Sequence, residues 1–190
     1  MSDYILRSAR YIAAEYMEKM LCEGAVAVDA TMGNGHDTEW MARLVGETGR
    51  VYAFDVQAQA VAATRTRLEN AGLLQRVTLY ERSHDCMAEL VKESVDLAAF
   101  NLGWLPGGDK AVTTLLPSTL SAVGQAMELL KPGGMLVVCC YPGHGEGARE
   151  LKALEELFAS LPPQRFNCLE HVFLNAGPGA PRCFAVQKQQ

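Results

Sequence analysis

Five times along this chain a short apolar run gives way to a stretch with helical spacing, and few folds accommodate that alternation. The apolar runs lie at 25–30, 49–55, 77–81, 95–100 and 135–141. The helical stretches between and after them lie at 36–44, 57–70, 85–92, 113–130 and 147–161. Strands spaced by helices are parallel strands joined by crossovers, because a parallel pair cannot be closed by a tight turn. Two further strand candidates, 167–174 and 183–188, are separated by Asn175-Ala176-Gly177-Pro178-Gly179-Ala180-Pro181. So short a turn-rich link makes them antiparallel neighbours. The expected fold is therefore α/β: a Rossmann-like sandwich with a seven-stranded, mostly parallel sheet, its last strand antiparallel, and helices on both faces.

A chain of 190 residues suits one such domain, expected over 1–190 with an N-terminal helix within 1–22. That helix, read over 3–21, offers Ile5, Tyr11, Ile12 and Met20 to buried stripes, and its amphipathic face is a candidate homodimer surface. No apolar run reaches the ~20 residues of a membrane span. The opening Met1-Ser2-Asp3-Tyr4-Ile5-Leu6-Arg7 lacks the basic-then-apolar order of a signal peptide. A cytoplasmic protein without membrane contact is expected. Six cysteines show no CxxC and no Cys/His spacing suited to zinc, so no metal site is expected and the thiols read as buried, reduced and structural. The net charge of -5 argues against a protein that coats nucleic acid, which needs broad phosphate neutralisation. It leaves room for a compact enzyme with a local basic rim.

The chemistry gathers at the carboxyl ends of the strands, where open α/β sheets bind ligands. Asp29-Ala30-Thr31-Met32-Gly33-Asn34-Gly35-His36-Asp37-Thr38 joins the first strand to the first helix. Glycines there allow close backbone approach to a ligand, and the free N–H groups of the helix start face it. A dinucleotide site would place a third glycine where Thr38 stands. The alternative pattern, D-x-G-x-G-x-G of S-adenosylmethionine (SAM) methyltransferases, is met by Asp29, Gly33 and Gly35, with Thr31 at the first glycine. Asp29, Thr31, Gly33, Asn34, Gly35, Asp37 and Thr38 are thus cofactor-side candidates. Asp55 ends the second strand, placed to accept hydrogen bonds from both hydroxyls of a ribose, which NAD and SAM share. Gln57 follows it, and Ser83-His84-Asp85 ends the third strand, where an adenine would lie. Leu130-Lys131-Pro132-Gly133-Gly134, entering the fifth strand, favours SAM over NAD.

The end of the fourth strand carries Asn101-Leu102-Gly103-Trp104-Leu105-Pro106-Gly107-Gly108-Asp109-Lys110. Amino-methyltransferases place an [N/D]-P-P-[Y/F/W] motif at this point. The Asn carbonyl there accepts from the amine and aims its lone pair at the methyl group, while the aromatic ring stacks on the base. Asn101 and Trp104 keep the two ends of that motif. Asp109, or His144 in Tyr141-Pro142-Gly143-His144-Gly145-Glu146-Gly147, is a candidate proton acceptor, since an amine must react neutral. Lys110 is placed for a phosphate or for Asp109.

Taken together, the D-A-T-x-G-N-G-x-D-T loop, F-D-x-Q, S-H, N-L-G-[YW]-L-P-G-G-D-K and Y-x-G-H-x-x-G resemble one bacterial family of class I SAM-dependent methyltransferases. Its members carry the label of rRNA methylases and include an enzyme that converts 5-aminomethyl-2-thiouridine at the tRNA wobble position to 5-methylaminomethyl-2-thiouridine. The resemblance implies SAM as cofactor, held by Gly33, Asn34, Asp55, Gln57, Ser83 and His84, with Asn101 at its methyl end. It implies that Asn101, Trp104, Asp109 and Lys110 face the acceptor, and His144 the substrate. Met32 stands where a Cys is usual, and Trp104 where Tyr is commoner, which keeps the ring but loses a hydroxyl. A single-stranded anticodon loop can splay a base onto an aromatic ring, with Arg7, Arg10, Arg65, Arg67 and Lys110 as candidate phosphate contacts. Two other readings stand beside this one: methylation of another amine, in rRNA, protein or a small molecule, and a SAM-binding regulator without catalysis.

Overall fold

Burial along the strands sorts them into centre and edge. A computed structural model describes residues 6–109 and 111–189. β1 (Val26–Asp29) is buried at every position, and β4 (Val95–Asn101) at most of them. β5 (Leu130–Cys140) is buried from Met135 onward. These are strands with helices over both faces. β2 (Arg50–Asp55), β3 (Val77–Glu81), β6 (Phe166–His171) and β7 (Arg182–Lys188) complete the sheet in the order β3-β2-β1-β4-β5-β7-β6. β1 to β5 run parallel, while β7 is antiparallel to both β5 and β6, as the sequence pattern predicts.

Each face has its own core. α1 (Ala9–Met20), α2 (His36–Leu44) and α3 (Ala58–Ala71) bury Met17, Met41 and Leu68 with Ala27, Val51 and Val137 of the sheet. α4 (Met87–Leu90), α5 (Leu116–Leu129) and α6 (Gly145–Ser160) bury Met87, Val123 and Leu154 against Val28, Phe100 and Val138 on the other side. Cys139 and Cys140 separate onto opposite faces. No helix among the described residues is long and apolar enough to cross a membrane.

The structure departs from the sequence reading where tertiary partners intervene. The buried stripe of α1 is Ala9, Ala13 and Met17; Tyr11 is exposed, Ile12 and Met20 are half-buried, and Ile5 lies outside the described residues. That stripe packs on β4, β5 and β7 of its own chain. Residues 113–115 do not join α5, because Thr113 bridges to Trp104 and the Thr114 amide donates to Gly103 O. The helix begins at Leu116 with Pro117 in its first turn, where a missing N–H costs nothing. The Lys131-Pro132-Gly133-Gly134 turn lies inside β5 as a bulge, since Val95 pairs with Leu130 and Leu97 with Met135. All six cysteines are unbridged, but only Cys139, Cys140 and Cys183 are buried; Cys22 and Cys168 are exposed.

Candidate active site

β1 and β4 are adjacent in the sheet, yet their chains leave it toward opposite faces, which opens a crevice at their carboxyl ends. The last backbone link between them is Ala30 N to Ala99 O, 2.9 Å. Beyond it lies a cavity of about 790 Å³, a size that suits a nucleoside-bearing ligand.

The floor is the loop from β1 to α2. Thr31 joins it to β4, for its hydroxyl accepts the Asn101 amide at 2.7 Å while its own amide donates to Asp29 Oδ1 at 3.2 Å. Gly35 opens α2 in the left-handed region with φ 79°. A Cβ at that position would lie 2.7 Å from Thr64 Oγ1, so α3 can approach the loop only because no side chain is there. The Gly33 amide donates to Asp55 Oδ2 and the Gln57 amide to Asp55 Oδ1, both at 3.0 Å. Each carboxylate oxygen of Asp55 keeps a further acceptor site, and the side chain borders the cavity.

Asp29 does a different job. It is 2% exposed, accepts the Thr38 hydroxyl at 2.5 Å, and does not line the cavity. Burial, with Asp37 nearby adding to it, pushes its pKa up to about 7. Gly35 and Thr38 also stand behind the loop rather than at the cavity wall. The Thr38 hydroxyl, where a dinucleotide site would need a glycine, is spent on Asp29.

Thr31, Gly33, Asn34 and Asp37 line the cavity from the first loop, and Gln57, Ser83 and His84 from the next two. His84 is buried, and that burial lowers its pKa. Its Nδ1–H donates to Ala30 O at 3.0 Å, a direction set by the carbonyl, which can only accept. The ring is therefore held neutral with Nε2 left as an acceptor. Asp37 is raised by burial and eased down by the Arg10 guanidinium, which lines the same cavity.

The opposite wall comes from β4 and β5. Asn101 Oδ1 is buried with no hydrogen-bond partner among the described residues, and Thr113 Oγ1 is in the same condition. Trp104 is 37% exposed, and its ring lies 4.6 Å from that of His144 at an interplanar angle of 50°. His144 Nδ1 accepts the Gly147 amide at 3.2 Å, and the residue lines the cavity. Asp109 turns away. Its Oδ1 accepts the Ala111 amide at 2.8 Å in a local turn, and the exposed carboxylate is not part of the lining. Lys110 lies outside the described residues. Of the other basic candidates, Arg67 is engaged by Asn34 O, Glu39 and His36, Arg7 and Arg10 sit by the Tyr11 ring, and Arg65 is exposed.

Sequence reasoning missed Thr113, Thr114 and Glu150. The two threonines fall within the stretch whose spacing predicts a helix, and Glu150 sits in a charged helical stretch that reads as solvated surface.

Residues 51–187 match the family described as "Putative rRNA methylase". The chain belongs to this family. It is 38% identical over 185 residues to the Arabidopsis thaliana protein named tRNA (mnm(5)s(2)U34)-methyltransferase, chloroplastic, aligning 92% of this chain with 67% of that one. The solved "putative rRNA-methylase" of Clostridium thermocellum superposes with a TM-score of 0.95 at 34% identity, covering 97% of this chain and all of that one. A "putative methyltransferase" from Streptococcus mutans, solved in complex with SAH, does so with a TM-score of 0.87 at 31% identity, over 97% of this chain and 99% of that one. The chain is a SAM-dependent methyltransferase. Its own residues fit the cofactor: a strand-end carboxylate anchored by two backbone amides, and a glycine loop at the cavity floor.

Proposed function

We propose that this methyltransferase acts on the aminomethyl group of 5-aminomethyl-2-thiouridine at the wobble position of tRNA, giving the 5-methylaminomethyl product. The observation that carries the proposal is the buried Oδ1 of Asn101, without a hydrogen-bond partner among the described residues, beside the half-open indole of Trp104. An orphaned buried acceptor is costly unless a ligand completes it, and a primary amine brings the donor it lacks. The likeness to the Arabidopsis enzyme supports tRNA over other amine carriers.

SAM supplies an electrophilic methyl group on a sulfonium centre. In this reading Asp55 accepts from the ribose hydroxyls, and the backbone of Gly33 and Asn34 lines the path of the cofactor. Asn101 Oδ1 accepts an N–H of the neutral amine and so turns its lone pair toward the methyl. Trp104 offers a face to the flipped pyrimidine, and His144 stands against the indole at the same wall. Displacement at a methyl needs alignment more than acid–base work, and alignment of this kind can supply several kcal/mol.

The test is incubation with SAM and tRNA bearing the unmethylated aminomethyl group, followed by digestion to nucleosides. The methylaminomethyl nucleoside is expected from wild-type protein. Its absence, with SAM still bound by calorimetry, would refute the tRNA assignment and direct the search to rRNA, protein or small-molecule amines.

A further inference from the structure

Glu150 is fully buried, at 0% exposure, in a helix whose neighbouring charged side chains face water. Both carboxylate oxygens are engaged from outside its own helix. Oε1 accepts the Thr119 hydroxyl at 2.6 Å and Oε2 the Thr114 hydroxyl at 3.1 Å. Thr114 passes the link onward. Its Oγ1 accepts the Gly103 amide at 3.0 Å, and its amide donates to Gly103 O at 3.0 Å. One residue further along, Trp104 pairs with Thr113. A second link from α6 runs beside the first, as Glu146 Oε1 accepts the Leu116 amide at 2.8 Å.

The segment so linked carries Trp104 between two buried leucines, Leu102 and Leu105. Gly103 and Gly107 have φ values of 116° and 83°, and a Cβ at either would meet nothing within 4 Å. A buried carboxyl is expensive to keep where an apolar residue would pack, and what Glu150 obtains in return is a fixed Thr114.

We propose that Glu150 is a positioning residue: through Thr114 and Gly103 it anchors the loop that sets the Trp104 indole at the cavity mouth. Glu150 itself borders no part of the cavity and touches no reacting atom. Its contribution is the placement of the aromatic face relative to Asn101, at the other end of the same short segment.

The protein has two tryptophans, and Trp40 lies outside the cavity lining, so a Trp40→Phe background leaves Trp104 as the sole tryptophan, read by excitation beyond the tyrosine band. In that background Thr114→Val should raise acrylamide quenching of Trp104 about twofold, and Thr114→Ser should restore it. A measurement well below each variant's Tm separates this from loss of stability. On aminomethyl-bearing tRNA, an arm that rests on the proposed function, Thr114→Val should lower kcat/KM for tRNA about tenfold, the loss expected of one positioning bond. The Kd for SAM should stay within about twofold, since only one wall has loosened. Glu150→Gln should fall between the two threonine variants. Quenching unchanged by Thr114→Val would overturn the anchoring, and increased quenching with unchanged kcat/KM would overturn its role in positioning. A wild-type protein inactive on that tRNA would count against the proposed substrate, while the fluorescence arm still decides the anchor.

Discussion

Asn101 is held from one side and left open on the other. Its amide donates to Thr31 Oγ1 at 2.7 Å, which fixes the backbone at the end of β4, while Oδ1 has no partner among the described residues. Asn101→Ala should leave that backbone link intact and remove only the acceptor. Turnover should then fall about 10²-fold or more, the usual loss when one preorganised polar contact is deleted, with the Kd for SAM within about threefold. Single-turnover kinetics and calorimetry read the two quantities, and activity surviving the change would sink the amine-clamp role. Asp55 should behave in the opposite way. Hydrogen bonds to a charged group are worth about 1.5–3 kcal/mol, so Asp55→Ala should weaken SAM binding by roughly 10- to 100-fold in the same titration. These two residues were legible in the sequence because each ends a strand, and strand ends are where this architecture exposes side chains. Asp29 also ends a strand, but the sequence does not reveal that Thr38 and the α2 start enclose it. Glu150 was illegible for a related reason: only the approach of Thr114 and Thr119 makes a helical glutamate an interior group.

At the level of elements, alternation of apolar runs was enough to place the strands, and β3 and α2 begin and end where their patterns do. The departures include α1, α5 and the bulge of β5, where a distant partner decides the boundary, as well as α4 and β6, which end at Leu90 and His171 rather than at 92 and 174. Glycine illustrates the same division. Gly35 and Gly72 both have positive φ, 79° and 68°, but a Cβ at Gly35 would meet Thr64 at 2.7 Å, whereas at Gly72 it would meet nothing within 4 Å. Gly72→Ala, at the end of α3, should cost about 1 kcal/mol of backbone strain alone. Gly35→Ala adds a steric collision with α3 and should cost a further ~1–3 kcal/mol while also weakening SAM binding, because the loop that carries Gly33 must shift. Urea unfolding of both variants measures the difference. Equal losses would mean that the close approach of α3 to the loop is not needed.

For the molecule as a whole, three carboxyl groups around the crevice are held above their ordinary range by burial: Asp29, Asp37 and Glu150. Burial carries Asp29 from 3.8 to about 7. The folded protein therefore keeps a proton there that the unfolded chain gives up above about pH 4. Between about pH 4 and 7 the folded state binds more protons than the unfolded state, so stability falls as pH rises. The contribution is complete below about pH 4, is lost through the window, and is absent above about pH 7. Asp29→Asn mimics the neutral acid at every pH and should remove that slope, while Asp37 and Glu150 continue to act in both proteins. The stability of the parent relative to the variant should accordingly drop by roughly 1–3 kcal/mol between pH 5 and 8. Urea unfolding at several pH values checks this, and parallel pH profiles for the two proteins would show that Asp29 is ionised in the fold. A protonated Asp29 also bears on the cavity it stands behind. At pH 6, below its raised pKa, Asp29 is mostly uncharged. Asp29→Asn should therefore leave the Kd for SAM at pH 6 within about twofold of the parent, a result that an ionised Asp29 would not give.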